Sequence, residues 1–146
     1  MIDASREQEL NEALELFFYA YREFTAYPDE VLAARDLGRV HHRILYFVGR
    51  NPGVTVGELL GILGVSKQAL NAPLRRLMAE GLVVNAVGES DRRARHLRLS
   101  DSGAALEREL SGSQRERMEG IFAAEGPGRE AAWRAIMGAV AGPVDA

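Results

Sequence analysis

The side chains best suited to chemistry lie in the middle of the chain. Ser66, Lys67, Gln68, Asn71, Ala72, Arg75 and Arg76 follow one another closely, and Asp91, Arg92, Arg93 and Arg95 come after a short gap. Glutamine and asparagine can form paired hydrogen bonds with adenine, and arginine with guanine, at major-groove base edges. Arginines gathered at a loop tip suit the narrow minor groove of A·T-rich duplex, where the potential is most negative. The charge distribution agrees. Residues 66–99 carry 7 basic and 3 acidic side chains, residues 1–35 carry 3 and 8, and residues 100–146 carry 5 and 8. The net charge of −3 thus conceals a cationic block between two acidic arms, the footprint expected for a polyanionic partner. The bland alternatives are a solvated helix face and an arginine-rich turn that bind nothing.

Presenting these groups requires particular elements. Thr55 and Glu58 have the spacing of a capping box that opens a short helix over 55–63, with Gly64 placed to end it. Ser66 then caps a helix over 67–80, closed by Gly81. Two short helices joined by a glycine-containing turn form a helix-turn-helix pattern. In the second helix Leu70, Leu74 and Leu77 share one face, with Val65 expected to pack inward beside them, so Lys67, Gln68, Asn71, Ala72 and Arg75 point outward. Pro73 interrupts this helix, removing one amide and crowding the carbonyl of Ala69, so a bend or break is expected. Residues 82–87 and 95–99 read as strands of a hairpin around the turn cluster Gly88-Glu89-Ser90-Asp91.

Flanking helices complete the pattern. Leu10, Ala13, Leu14, Phe17, Tyr21 and Phe24 form the apolar stripe of a helix over 3–26, with Pro28 expected to end it. A second helix over 30–50, with a break near Asp36, carries Leu37, Val40, Ile44 and Val48. Beyond the hairpin, Ser100-Asp101 opens a helix to about 124, and a last one spans 129–140.

From Leu37 to Gly103 the sequence resembles the MarR family of bacterial regulators. The matching blocks are Gly53 to Leu60, Leu63 to Gln68, Leu77 to Val83, Asp91-Arg92-Arg93, and Leu97 to Gly103, in this order and spacing. The resemblance implies a mainly α (α+β) winged helix-turn-helix with a two-stranded β-wing. It implies a homodimer held by interlocking N- and C-terminal helices and bound to a pseudo-palindromic operator in double-stranded DNA. It also implies that Asp91 orients the nearby Arg93, and that a small aromatic or lipophilic effector can weaken DNA binding. The sequence departs from the family at Pro73 and at Asn85, where a basic residue is common, which puts one phosphate contact in doubt. Arg76 and Arg98 are either phosphate contacts or plain surface.

The expected organisation is one domain over 1–146, with a DNA-binding core over 30–100 and dimerisation helices over 3–26 and 101–141, where Trp133 is the preferred interface anchor. Helix 67–80 would enter the major groove and the 88–95 wing would cover the adjacent minor groove, repeated at about 10 bp by the dimer. The aromatic series along the first two helices suits core, interface or a ligand pocket, for which Phe17, Tyr21, His41, His42 and Tyr46 are the candidates. His41 and His42 are adjacent and point about 100° apart on a helix, poor geometry for one metal ion, so neither metal nor cofactor is expected. Cysteine is absent, and there is no glycine-rich phosphate loop or paired-carboxylate spacing, so nothing supports an enzyme. Charges from Asp3 onward do not fit a signal peptide, and no apolar run reaches membrane-spanning length, which suits a cytoplasmic protein. The rival function is a winged helix that contacts another protein without DNA.

Overall fold

The computed structural model of this protein describes residues 1–86 and 95–143. Its elements are α1 (Ala4–Ala34), α2 (Arg39–Arg50), β1 (Val54–Thr55), α3 (Val56–Leu63), α4 (Lys67–Ala79), β2 (Val83–Ala86), β3 (His96–Leu99), α5 (Asp101–Glu125) and α6 (Pro127–Ala141). Short polar caps set most boundaries. Asp3, Thr55, Ser66 and Ser100 each accept a hydrogen bond from the amide three residues on. Gly64 takes a left-handed conformation (φ 64°) and ends α3, as a residue without Cβ can. The Glu58 carboxylate reaches back to the Thr55 hydroxyl, which donates to it at 2.9 Å.

Pro28 does not end the first helix, which runs six residues beyond it to Ala34. Proline lacks the amide that the Phe24 carbonyl would otherwise accept from. Gln114 of α5 supplies the substitute, donating from Nε2 to that carbonyl at 3.3 Å, while Arg117 donates to the Glu23 carbonyl at 3.3 Å. Residues 30–34 therefore belong to α1, not to the second helix. The break falls at Asp36, a non-glycine residue with φ 57°, and α2 starts only at Arg39.

The core joins all of the central elements. Ile44, Leu45 and Val48 of α2, Leu59 of α3, Leu70, Leu74 and Leu77 of α4, Leu97 of β3, and Leu106 and Leu110 of α5 are buried together. Val65 stands apart from them at 38% exposure, because it lies in the turn before the α4 stripe begins. The sheet has three strands in the order β1-β3-β2, all antiparallel. The wing hairpin thus gains a third, two-residue strand, with Val54 opposite Leu97 and Thr55 opposite His96. The His96 ring fastens this edge, with Nδ1 3.1 Å from the Gly53 carbonyl. Asn85, where a cation was in question, accepts the His96 amide at 3.0 Å through its side chain.

The hairpin meets α5 with little clearance. Ser100 donates its amide to the Leu82 carbonyl at 3.0 Å and its hydroxyl to the Gly81 carbonyl at 2.5 Å. Gly103 passes so close to Leu82 that a Cβ would lie 1.9 Å from the Leu82 carbonyl oxygen.

Candidate nucleic-acid interface and ligand cleft

Helix α4 divides cleanly into two faces. Leu70, Leu74 and Leu77 are buried, whereas Ser66, Lys67, Gln68, Asn71, Ala72 and Arg75 are exposed. Pro73 does not end the element, since α4 is continuous to Ala79. Lys67, Asn71 and Arg75 share one cleft with Thr55, Val56 and Gly57 at the start of α3 and with Arg95 at the base of the wing. Three cations, an amide side chain and the amino end of a helix thus face one solvent-open space, a suitable seat for phosphate and base edges. Arg98 is exposed on β3. Asp91, Arg92 and Arg93, assigned to the wing tip, lie outside the described residues.

Arg76 is engaged within the protomer. Its guanidinium donates to the carbonyls of Asp36 at 2.7 Å and Arg35 at 3.0 Å, and pairs with Glu80 at 2.8 Å. It caps the end of α1 and holds the left-handed Asp36 turn, so it acts as a structural clamp within the protomer. Its two carbonyl partners lie about forty positions away in sequence, and no local pattern signals them.

A second cleft, of about 580 Å³, lies between α1, α2 and α5. Of the five pocket candidates, Tyr21, His42 and Tyr46 line it, and Phe17 and His41 do not. Phe17 sits before the cleft on the exposed part of α1. His41 turns away because its Nδ1 accepts the Gly38 amide at 2.9 Å, capping α2. Burial, reinforced by the charge of Arg76, lowers the His41 pKa below its ordinary value. The His42 pKa is also lowered, chiefly by burial, with Glu107 and Asp29 opposing. His42 Nε2 lies 2.8 Å from the Ser111 hydroxyl, bridging α2 and α5.

Much of the cleft comes from residues that sequence reading passed over. Phe24, Phe47, Met118 and Phe122 supply apolar wall. Arg39 is locked to Asp29 through bonds of 2.8 and 3.2 Å and lies over the Tyr21 ring. Arg43 donates to the Tyr21 hydroxyl at 3.2 Å and has no carboxylate within ion-pair distance among the described residues. Ser111 and Gln114 join from a helix some seventy positions on, so only folding brings them in. Among the described residues no cluster of three or more His, Cys, Asp or Glu could hold a metal ion.

A helix-turn-helix followed by a β-hairpin on a shared core defines a winged-helix protein. A MarR family profile matches residues 35–94. The chain is 47% identical over 137 residues to the HTH-type transcriptional regulator PetP of Rhodobacter capsulatus, spanning 94% of this chain and 82% of that protein. The chain therefore belongs to the MarR family, whose members are transcriptional regulators and not enzymes. Two solved structures share the fold. FabT of Streptococcus pneumoniae, in complex with DNA, has a TM-score of 0.70 at 20% identity, covering 92% of this chain and 94% of that one. NadR, in complex with 4-hydroxyphenylacetate, has a TM-score of 0.69 at 21% identity, covering 86% and 89%. Among the described residues no helix is long and apolar enough to cross a membrane.

Proposed function

We propose that this transcriptional regulator is a homodimeric repressor that reads a pseudo-palindromic operator and releases it on binding a small aromatic effector. The carrying observation is α4, with its three leucines buried and Lys67, Gln68, Asn71 and Arg75 turned outward beside Arg95. Gln68, Asn71 and Arg75 have the donors and acceptors to discriminate base pairs, whereas Lys67 and Arg95 suit phosphates. Asp91, Arg92 and Arg93 would extend the contact into the adjacent minor groove. FabT was captured on DNA with this fold, which supports the reading.

Dimerisation is favoured by the terminal helices. Leu14 and Phe18 of α1 and Ile136 and Val140 of α6 are each at least 60% exposed, and α6 buries no residue in the protomer. Trp133 packs edge-on against Phe122 yet remains 42% exposed, so it is available to a second copy. Exposed apolar area on this scale marks an association surface.

The cleft between α1, α2 and α5 is the effector site of this proposal. Its aromatic walls and the uncompensated Arg43 favour a small aromatic anion, and NadR holds 4-hydroxyphenylacetate on a like fold. The cleft joins α1 and α5, the helices of the dimer, to α2 of the DNA-binding core. An effector that prefers one separation of the two cores shifts the equilibrium by its difference in affinity for the two states.

The test is binding of the purified protein to random and A·T-rich duplexes across a salt series. The expected result is a steep negative slope of log K on log salt, reduced in Arg93→Ala, with specific sites weakened more than random DNA in Asn71→Ala and Arg75→Ala. A folded protein that binds no duplex at low salt overturns the reading in favour of a protein-contact module.

A further inference from the structure

We propose that His41 is a proton-sensitive pin in the turn that carries α4, so that acidification loosens this helix and releases specific DNA. The inference rests on the proposed DNA-binding role of α4. The turn lies between α1 and α2. Asp36 takes a left-handed conformation there (φ 57°), uncommon for a residue with a Cβ, and polar contacts hold the turn from two sides. From α4, Arg76 donates to the Arg35 and Asp36 carbonyls at 3.0 and 2.7 Å, and its neighbour Arg75 faces the DNA cleft. From α2, His41 Nδ1 accepts the Gly38 amide at 2.9 Å. Gly38 has no side chain with which to cap α2, and His41 stands where a capping box carries glutamate or glutamine.

Of the chain's three histidines, this one faces a partner that can only donate. His42 faces the Ser111 hydroxyl, which can turn to accept, and His96 faces the Gly53 carbonyl, which accepts an N–H whether the ring is neutral or charged. A proton on His41 Nδ1 makes that atom a donor. The Gly38 carbonyl can accept it, but the Gly38 amide cannot meet it and loses its cap. The new charge also falls in the first turn of α2, the positive end of the helix dipole. Arg76 and Glu80 of α4 are the charged groups that face the ring, and they pair with each other at 2.8 Å. Partial burial and the Arg76 charge oppose the proton, and they outweigh Glu80 and the Gly38 backbone, which favour it.

The consequence reaches α4 through the turn. With the Gly38 amide uncapped, the first turn of α2 frays and the Asp36 turn loses one of its two anchors. Arg76 then grips a segment that no longer fixes α4 against α1 and α2. Lys67, Asn71 and Arg75 share one cleft and must meet the groove together, so a loosened α4 weakens a specific site more than a random duplex.

The experiment takes a duplex selected from a random pool by the full chain at pH 7.5. Its affinity is measured from pH 7.5 to 5.0 at fixed ionic strength. Added protons make the protein more cationic, which by itself tightens binding to any duplex. The selected duplex should instead weaken roughly three- to tenfold in wild type, the worth of one hydrogen bond. His41→Gln keeps an acceptor in the capping position and does not titrate, so it should match wild type at pH 7.5 and hold its affinity at pH 5.0. The His41 Cε1–H resonance of the free protein should titrate below pH 6.5, where the affinity begins to fall, and at higher pH in Arg76→Gln, which lacks the repelling charge. A wild-type affinity that rises on acidification, parallel pH profiles in wild type and His41→Gln, or a His41 midpoint unmoved in Arg76→Gln overturns the proposal while leaving DNA recognition intact. If His41→Gln is already weak at pH 7.5, the wild-type resonance decides. A midpoint shared with the fall in affinity supports the proposal, and a midpoint apart from it overturns it. A wild type that selects no duplex removes DNA reading itself.

Discussion

Gly103→Ala sets two opposed effects against each other at the junction of the wing and α5. Alanine is favoured over glycine inside a helix by roughly 1 kcal/mol. Against this, the new Cβ would lie 1.9 Å from the Leu82 carbonyl oxygen, 2.9 Å from its carbonyl carbon and 3.2 Å from its Cα. These are backbone atoms, so no side-chain rotation relieves the overlap. Relief must come from displacing α5 or β2, yet Leu82 is 2% exposed and its carbonyl already accepts the Ser100 amide at 3.0 Å. Overpacking of this kind costs roughly 1–3 kcal/mol or more, and a weakened buried hydrogen bond adds about 1 kcal/mol. The clash wins, with a net loss of roughly 1–3 kcal/mol. At about 2–4 °C per kcal/mol for a chain of this size, Tm should fall by roughly 2–12 °C. Thermal and urea unfolding measure this, with Gly61→Ala as the control, because a Cβ at Gly61 meets nothing within 4 Å. Gly61→Ala should hold or raise Tm. Equal shifts in the two variants, or a Gly103→Ala Tm at or above wild type, would refute the reasoning.

Three further outcomes follow from individual contacts. Arg76→Ala should destabilise the fold by roughly 1 kcal/mol, since its bonds to Arg35 and Asp36 are partly solvent-exposed, while leaving the salt slope of duplex binding unchanged. A slope reduced by about one unit would restore Arg76 as a phosphate contact. Burial holds His42 below its ordinary pKa of 6.5, so the unfolded chain takes up the proton first as pH falls. His42 therefore contributes stability that is fully present above about pH 6.5 and is lost below it. Urea midpoints between pH 7.5 and 5.5 should decline, and less so in His42→Gln; parallel declines would sink this assignment. Gln114→Leu should cost about 1 kcal/mol by orphaning the Phe24 carbonyl, and less in a Pro28→Ala background, where a backbone amide returns. A double-mutant cycle reads the coupling, and additivity of the two changes would show that Gln114 does not compensate for Pro28.

The helix-turn-helix was legible because its signals are local. Thr55, Ser66 and Ser100 act within three residues of themselves, and the spacing of Leu70, Leu74 and Leu77 decides which face of α4 is buried and hence which side chains remain outside. Ser100-Asp101-Ser102-Gly103 was recognised as a motif, but its purpose is visible only where Gly103 passes the Leu82 carbonyl.

Residue type and short spacing alone determined the caps, the two faces of α4, the hairpin and the cationic middle of an acidic chain. Tertiary structure decided whatever depends on a distant partner. Pro28 carries the pattern of a helix end, yet α1 continues past it, with Gln114 of α5 donating to the carbonyl that the proline leaves without an amide. Arg76 reads as a surface cation, and only the fold brings the Asp36 carbonyl within 2.7 Å of it. His41 and His42 are neighbours in sequence, yet one caps α2 at Gly38 and the other reaches Ser111 across the cleft. A periodic pattern states which face of a helix is apolar. It cannot state which donor from another helix will stand within 3 Å of a particular carbonyl, and that contact assigns each polar side chain to scaffold or to surface.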